Sequence, residues 1–118
     1  MGEIIDVYEN KLVELPKLPE NFEMLNCKGN YITELPVLPD TVRLLDVANN
    51  ELIKLPELPS NLWDFSCGGN HFTSIPELPS SLEWFSCEGN KLAIFPDIPS
   101  KIVSFSIKKY VKEKRSQK

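Results

Sequence analysis

Apolar and polar positions alternate over short stretches that recur every 20 residues along the chain. Around Leu25 and Cys27, the apolar side chains occupy every second position, and residues 24, 26 and 28 fall on the opposite side. This period of two is typical of a short β-strand with one inward and one outward face. Identical units that stack place such strands side by side, parallel and about 4.8 Å apart. The pattern therefore predicts a parallel sheet with one strand per repeat.

The rest of the unit, written LPxLPxxLxxLxCxxNxLxx, predicts how the chain returns to the start of the next strand. Both prolines occur in all five repeats, at Pro16 and Pro19 and at the positions 20, 40, 60 and 80 residues later. Proline lacks an amide proton and clashes with a preceding helical turn, so the LPxLP segment is not an α-helix. Polyproline II has three residues per turn, which would direct Leu15 and Leu18 towards the core.

Residues at the same position of successive repeats form a column, and two further columns are predicted to be structural. The asparagine column lies at the turn that leaves each strand, where its amide can pair with buried backbone groups; it comprises Asn10, Asn30, Asn50, Asn70 and Asn90. Glycine precedes three of these asparagines and favours a tight turn. Cys27, Cys67 and Cys87 share their column with Val7, Val47 and Ile107, which predicts small buried apolar groups. Cys27 is two strands from Cys67, roughly 10 Å away, so a three-cysteine metal cluster is excluded and no metal site is expected.

The segment LPELPSNLWDFSCGGNHFTSIPELPSSLEWFSCEGNKL resembles the 20-residue leucine-rich repeat of bacterial effectors, the YopM-like and IpaH-like class. Similar repeats occur in some giant-virus proteins. The resemblance covers residues 1–107, as five repeats and a final strand, and leaves a basic tail at 108–118. It implies a curved right-handed solenoid of the α/β-horseshoe class without helices, with a parallel sheet on its concave face and polyproline II segments on its convex face. Effectors of this class usually carry an N-terminal helical cap and, in the IpaH-like branch, a C-terminal ubiquitin-ligase domain. We expect no counterpart of either in this sequence.

The outward positions of the strands are the candidate binding residues. Large apolar side chains at positions that the pattern exposes favour a protein-binding surface, and tryptophan is the commonest anchor of such surfaces. The predicted concave-face residues are Met24, Asn26, Arg43, Leu44, Asp46, Trp63, Asp64, Trp84, Ser86 and Glu88. Alternatively, these side chains pack on one another or on the C-terminal tail. Asp6, Asn26 and Asp46 could together hold calcium, but a solvated acidic face is the simpler interpretation.

The sequence offers no support for catalysis. His71 is the only histidine and has no partnered nucleophile, and no glycine-rich phosphate loop or HExxH motif occurs. We therefore expect a non-enzymatic protein with neither a cofactor nor a small-molecule substrate. The formal net charge of −4 argues against a nucleic-acid partner, and no apolar stretch approaches the length of a membrane span. Three cysteines and no visible secretory signal favour the cytoplasm, or the host cytosol for an effector or viral protein.

The uneven distribution of charge and the absence of recognisable capping units suggest a second hypothesis for the function. Residues 1–107 carry 7 basic and 16 acidic side chains, whereas the tail carries 6 basic and 1 acidic. The tail is either a solubilising end, whose lysines also discourage further pairing of the last strand, or a localisation or nucleic-acid element. Solenoids normally need capping units, and this sequence enters its first strand at Ile5 and Val7. The alternative function is therefore a structural module that forms weak homo-oligomers by stacking through its ends.

Overall fold

The computed structural model of the protein describes residues 2–102 and the backbone of 104–106. Its architecture is a single parallel sheet with the strands in sequence order. The strands are β1 (Glu3–Asp6), β2 (Phe22–Asn26), β3 (Leu44–Asp46), β4 (Asp64–Ser66), β5 (Trp84–Ser86) and β6 (Ser104–Ser106). The described residues contain no helix. The predicted β-solenoid with one strand per repeat is confirmed, whereas Val103, Ile107 and the basic tail at 108–118 lie outside the described residues.

The register of the sheet follows the 20-residue repeat, so each column of the sequence becomes a ladder of neighbouring side chains. Leu25 pairs with Leu45, Leu45 with Phe65, and Phe65 with Phe85. These four side chains are at most 2% exposed and form the centre of the core. Phe65 and Phe85 stack with ring centroids 5.8 Å apart. The inward orientation predicted from the alternation at 25 and 27 is therefore confirmed.

The LPxLP segments, called the return segments below, have no regular secondary structure, and their leucines pack against the core. Leu38, Leu58 and Leu78 are buried, and Leu15, Leu35 and Leu55 are partly buried against the same cluster. From the second LPxLP segment onwards, the second proline also begins a turn: the Pro39 carbonyl accepts a hydrogen bond from the Val42 amide at 3.2 Å, and the next repeats do the same. This turn explains the LPxxL spacing, because it returns the chain to the start of the next strand. Polyproline II geometry stays a prediction.

One position in each repeat requires a left-handed backbone. Gly29, Gly69 and Gly89 have φ angles of 75°, 65° and 77°, and the equivalent residues Glu9 and Asn49 have 54° and 57°. Glycine adopts this conformation without steric cost, and asparagine tolerates it better than most residues. The glycine that precedes asparagine in three repeats is thus a backbone requirement of the turn after the strand.

Buried asparagines tie successive repeats together. The Asn50 amide nitrogen donates to the carbonyl oxygens of Cys27 and Val47 at 3.0 and 3.1 Å, and its oxygen accepts from the Ile32 amide at 3.0 Å. The equivalent hydrogen bonds, each within one turn and to the turn before it, are made by Asn30, Asn70 and Asn90. Asn10 differs from the prediction: it is exposed, and its backbone amide donates to Asn30. No described repeat lies on its outer side, so its side chain has no carbonyl of an earlier turn to bind.

Candidate functional site

The sheet surface that faces away from the core, called the concave face below, is built from the alternate positions of the strands. Each outward residue has its counterpart in the next repeat directly beside it, as in the pairs Leu44–Asp64 and Asp64–Trp84. The predicted residues at these alternate positions therefore lie on one continuous surface: Met24, Asn26, Leu44, Asp46, Asp64, Trp84 and Ser86. Of the other three, Arg43 and Trp63 precede a strand and Glu88 follows one. The sequence already distinguishes the outward strand positions from the buried ones, because successive side chains of a strand point to opposite faces of the sheet.

Two tryptophans form an exposed aromatic pair on this face. Trp63 lies just before β4 and Trp84 begins β5; they are 38% and 41% exposed. Their ring centroids are 6.5 Å apart and their planes meet at 71°, an edge-to-face contact. The rings do pack on one another, as the alternative interpretation expected, but this contact still leaves about two-fifths of each residue open to solvent.

Backbone hydrogen bonds fix the positions of both tryptophans. The Arg43 carbonyl accepts from the amides of Trp63 and Asp64 at 2.7 and 3.1 Å. The Trp63 carbonyl in turn accepts from the amides of Glu83 and Trp84 at 3.0 and 3.1 Å. Because backbone hydrogen bonds hold both tryptophans at the start of paired strands, little ordering of the backbone is needed when a partner binds.

Asp64 is a half-buried carboxylate beside the aromatic pair. Burial raises the pKa of the Asp64 carboxyl above its usual value of 3.8, and repulsion from the Asp46 carboxylate raises it further. No basic side chain within residues 2–102 forms an ion pair with it. The concave face therefore holds a negative charge that the described part of the protein leaves uncompensated.

Asp64→Asn is expected to raise the urea midpoint of unfolding at pH 7. An acid whose pKa is higher in the folded protein than in the unfolded chain reduces stability once the pH exceeds both values. The increase in the urea midpoint should therefore become smaller as the pH falls towards 3.8, because Asp64 is increasingly protonated in both the folded and the unfolded protein. Asp97→Asn, at an exposed carboxylate of a return segment, is the matched control. An equal gain from both variants, or one that does not depend on pH, would contradict this explanation.

Other predicted residues of the concave face are less available than the sequence suggested. Met24 and Leu44 are half-buried, because neighbouring strands cover part of each side chain. Asn26 and Asp46 each accept a hydrogen bond from the backbone amide two residues later, at 3.2 and 3.1 Å, and so close the turn after the strand. Arg43 and Glu88 are exposed and Ser86 is half-buried. Among the predicted residues, the aromatic pair with Asp64 is thus the best candidate contact.

A polar groove along the start of the strands was missed by the sequence reasoning. It has a volume of about 460 Å³ and runs beside Trp63, with Thr41, Asn61 and Ser81 along it. The Thr41 hydroxyl donates to the Phe22 carbonyl at 2.8 Å, and the Ser81 hydroxyl donates to the Leu62 carbonyl at 2.6 Å. A polar column every 20 residues was the available signal. It is weak, because polar residues are also typical of any solvent-facing turn.

The three cysteines are free thiols inside the core column. Burial raises the pKa of the Cys27 and Cys87 thiols to about 12, and nearby carboxylates, Asp46 and Glu88 respectively, add to the shift. Burial also raises the pKa of Cys67 well above its usual value of 9.0. Since the thiolate is the nucleophile, these side chains are unsuited to nucleophilic chemistry in the folded protein.

We expect the native protein at pH 8 to react with an aromatic disulfide reagent at least about a hundred times more slowly than the urea-unfolded chain, which should release three equivalents of thiolate. Buried thiols react only when the structure opens. The measurement is the absorbance of the released reagent over time. Rapid release of one equivalent by the native protein would instead identify an accessible thiol.

The structure adds two observations on other kinds of site. Within residues 2–102 and 104–106, no group of three or more histidine, cysteine or acidic side chains has the arrangement of a metal site. That same part of the protein contains no helix with the length and apolar character needed to cross a membrane.

Solved structures similar to this one carry the same repeat. YopM from Yersinia enterocolitica WA-314 is 40% identical, with a TM-score of 0.85 over 87% of this chain and 23% of its own. A Shigella effector LRR domain is 31% identical, with a TM-score of 0.83 over 87% of this chain and 47% of its own. The chain folds as a leucine-rich-repeat solenoid. YopM from Yersinia pestis, described as a leucine-rich effector protein, is 40% identical, with a TM-score of 0.81 over 86% of this chain and 29% of its own.

These similarities cover most of this chain and a smaller part of each relative. The leucine-rich-repeat chain spans less than half the length of each of these three relatives. Protein-family models give no match to it, and neither do curated proteins. The resemblance inferred from the LPxLP unit is confirmed, and it supports a protein-interaction module.

Proposed function

We propose that this leucine-rich-repeat protein is a non-enzymatic module that binds another protein through its concave face, with Trp63 and Trp84 as the main anchors. The observation that carries the proposal is the exposed aromatic pair held on hydrogen-bonded strands. Tryptophan is enriched among the residues that dominate binding energy, and large exposed apolar groups on a folded surface typically mark an interface. The alternative hypothesis, assembly through the solenoid ends, has no comparable observation in its favour.

The relatives support a proposal about the setting in which the protein binds. YopM and the Shigella protein are named as effectors, and their repeats are 31–40% identical to those of this chain. We therefore propose an effector-like role in which the partner is a protein of the host cytosol. The half-buried Met24 and Leu44 extend the contact surface from the aromatic pair towards the N-terminal strands.

Affinity capture from cytosolic extract tests the proposal with three baits. These are the native protein, the double variant Trp63→Ala/Trp84→Ala, and the control Ile53→Ala/Ile94→Ala. The control removes two apolar side chains that are 67% and 69% exposed outside the strands. We expect one partner to be retained by the native and control baits and lost from the tryptophan variant, provided that all three unfold at similar urea concentrations. A partner retained equally by all three baits would show that the concave face is not the binding surface.

A further inference from the structure

We propose that the concave face holds an arginine side chain of its protein partner, stacked on the Trp63–Trp84 pair and paired with the Asp64 carboxylate. This inference rests on the proposed function and specifies the chemistry of the partner. It follows from the placement of three side chains and from the charge of the surface around them.

Asp64 adjoins both tryptophans in the sheet. It follows Trp63 in the chain, and its Cα is paired with that of Trp84 in the β4–β5 register. Neighbouring strands of a sheet are about 4.8 Å apart, so the Asp64 and Trp84 side chains leave the same face side by side. An edge-to-face pair such as Trp63 and Trp84 also leaves aromatic surface uncovered, consistent with their exposure. A single site therefore offers indole surface and a carboxylate.

The surrounding charge favours a cationic group. The outward strand positions between residues 3 and 88, together with the positions that flank them, contain seven carboxylates: Glu3, Asp6, Glu23, Asp46, Asp64, Glu83 and Glu88. They contain two basic side chains, Lys28 and Arg43. Arg43 precedes Trp63 by one repeat, yet neither basic residue forms an ion pair with Asp64 in the described part of the protein. A cation from the partner would approach a surface of opposite charge and would compensate a carboxylate that is half-buried beside Asp46.

Arginine fits this site better than the other candidates. Its guanidinium is planar, stacks on aromatic rings and donates two parallel hydrogen bonds to one carboxylate. Lysine presents a compact, strongly hydrated charge that lacks this planar surface. An apolar side chain would cover the indoles but would bury Asp64 further without a partner, and desolvating an unpaired charge opposes binding. An acidic side chain would be repelled.

The chain provides its own reporters for a test. Trp63 and Trp84 are its only tryptophans, so both indole N–H resonances and all tryptophan fluorescence come from this site. The probes are the blocked pentapeptide Gly-Ser-Arg-Ser-Gly and the same peptide with citrulline, a neutral residue of nearly the same shape, in place of arginine. Each is titrated into the full chain at pH 7 and low salt. We expect the arginine peptide to bind about tenfold more tightly than the citrulline peptide, mainly because it carries the charge.

Two variants of equal net charge make the test specific. Asp64→Asn should reduce the preference for arginine at least about threefold, whereas Asp97→Asn, in a return segment, should leave it unchanged. Equal binding of the two peptides by the native protein, or an undiminished preference in Asp64→Asn, would overturn the inference. If capture depends on the tryptophans but no arginine preference exists, the inference fails and the proposed function stands. If capture does not depend on the tryptophans, both fail.

Discussion

Replacing Asn50 with alanine is expected to lower the free energy of unfolding by about 3 kcal/mol or more, a large share of the stability of a small domain. Asn50 is 4% exposed and binds backbone groups of its own turn and of the preceding turn. The Cys27 and Val47 carbonyls each keep a second asparagine partner, Asn30 and Asn70. The Ile32 amide is buried and loses its acceptor. That unpaired donor makes the largest single contribution to the cost.

Urea unfolding followed by far-ultraviolet circular dichroism measures this effect. Asn61→Ala is the matched control, because Asn61 is exposed and its amide donates one long bond, 3.3 Å, to the Asp40 carbonyl. Its cost should stay within about 0.5 kcal/mol. Similar costs for the two variants would show that the buried asparagines do not hold the repeats together.

Phe65→Ala is expected to cost about 3–5 kcal/mol, because it removes a fully buried ring from the middle of the solenoid. The ring stacks on Phe85 and lies in register with Leu45, so the cavity opens between adjacent repeats. Repeat proteins depend on contacts between neighbours, and a defect in a central repeat weakens the interfaces on both sides. The measurement is again the urea midpoint and the slope of the transition.

Trp63→Ala provides the comparison for that result. Trp63 lies two residues earlier and is also aromatic, but it is 38% exposed and contacts Trp84 edge to face. Its removal should cost about 1 kcal/mol. A cost as large as that of Phe65→Ala would mean that Trp63 is a core residue rather than a binding anchor.

The repeat alone predicts most of this fold, because each column performs one physical task. The alternation at Leu25 and Cys27 predicts the strand and its buried face, and the 20-residue period predicts parallel pairing in register. The exposure of Asn10 was not predicted: the column suggested that all five asparagines are equivalent, whereas burial of each depends on a preceding turn. Such end effects arise from stacking and are absent from the pattern of a single repeat.

The site was predicted less completely, because exposure depends on neighbouring side chains. The pattern identified Trp63, Asp64 and Trp84 as outward, but the edge-to-face contact depends on side-chain rotamers that the sequence does not specify. Asn26 and Asp46 were assigned to binding, yet their oxygens also close turns. A short polar side chain at the end of a strand can contact a partner or close a turn, and the sequence alone does not distinguish these two roles.

Hydroxyl-radical footprinting of the protein with and without the partner recovered by capture tests the central claim most directly. Side-chain oxidation at Trp63, Trp84 and Met24 reports on the concave face, and oxidation at Ile53 and Ile94 reports on exposed side chains outside the strands. The account predicts that the partner slows oxidation of both tryptophans severalfold and leaves Ile53 and Ile94 unchanged. Protection of Ile53 and Ile94 with unprotected tryptophans would contradict it.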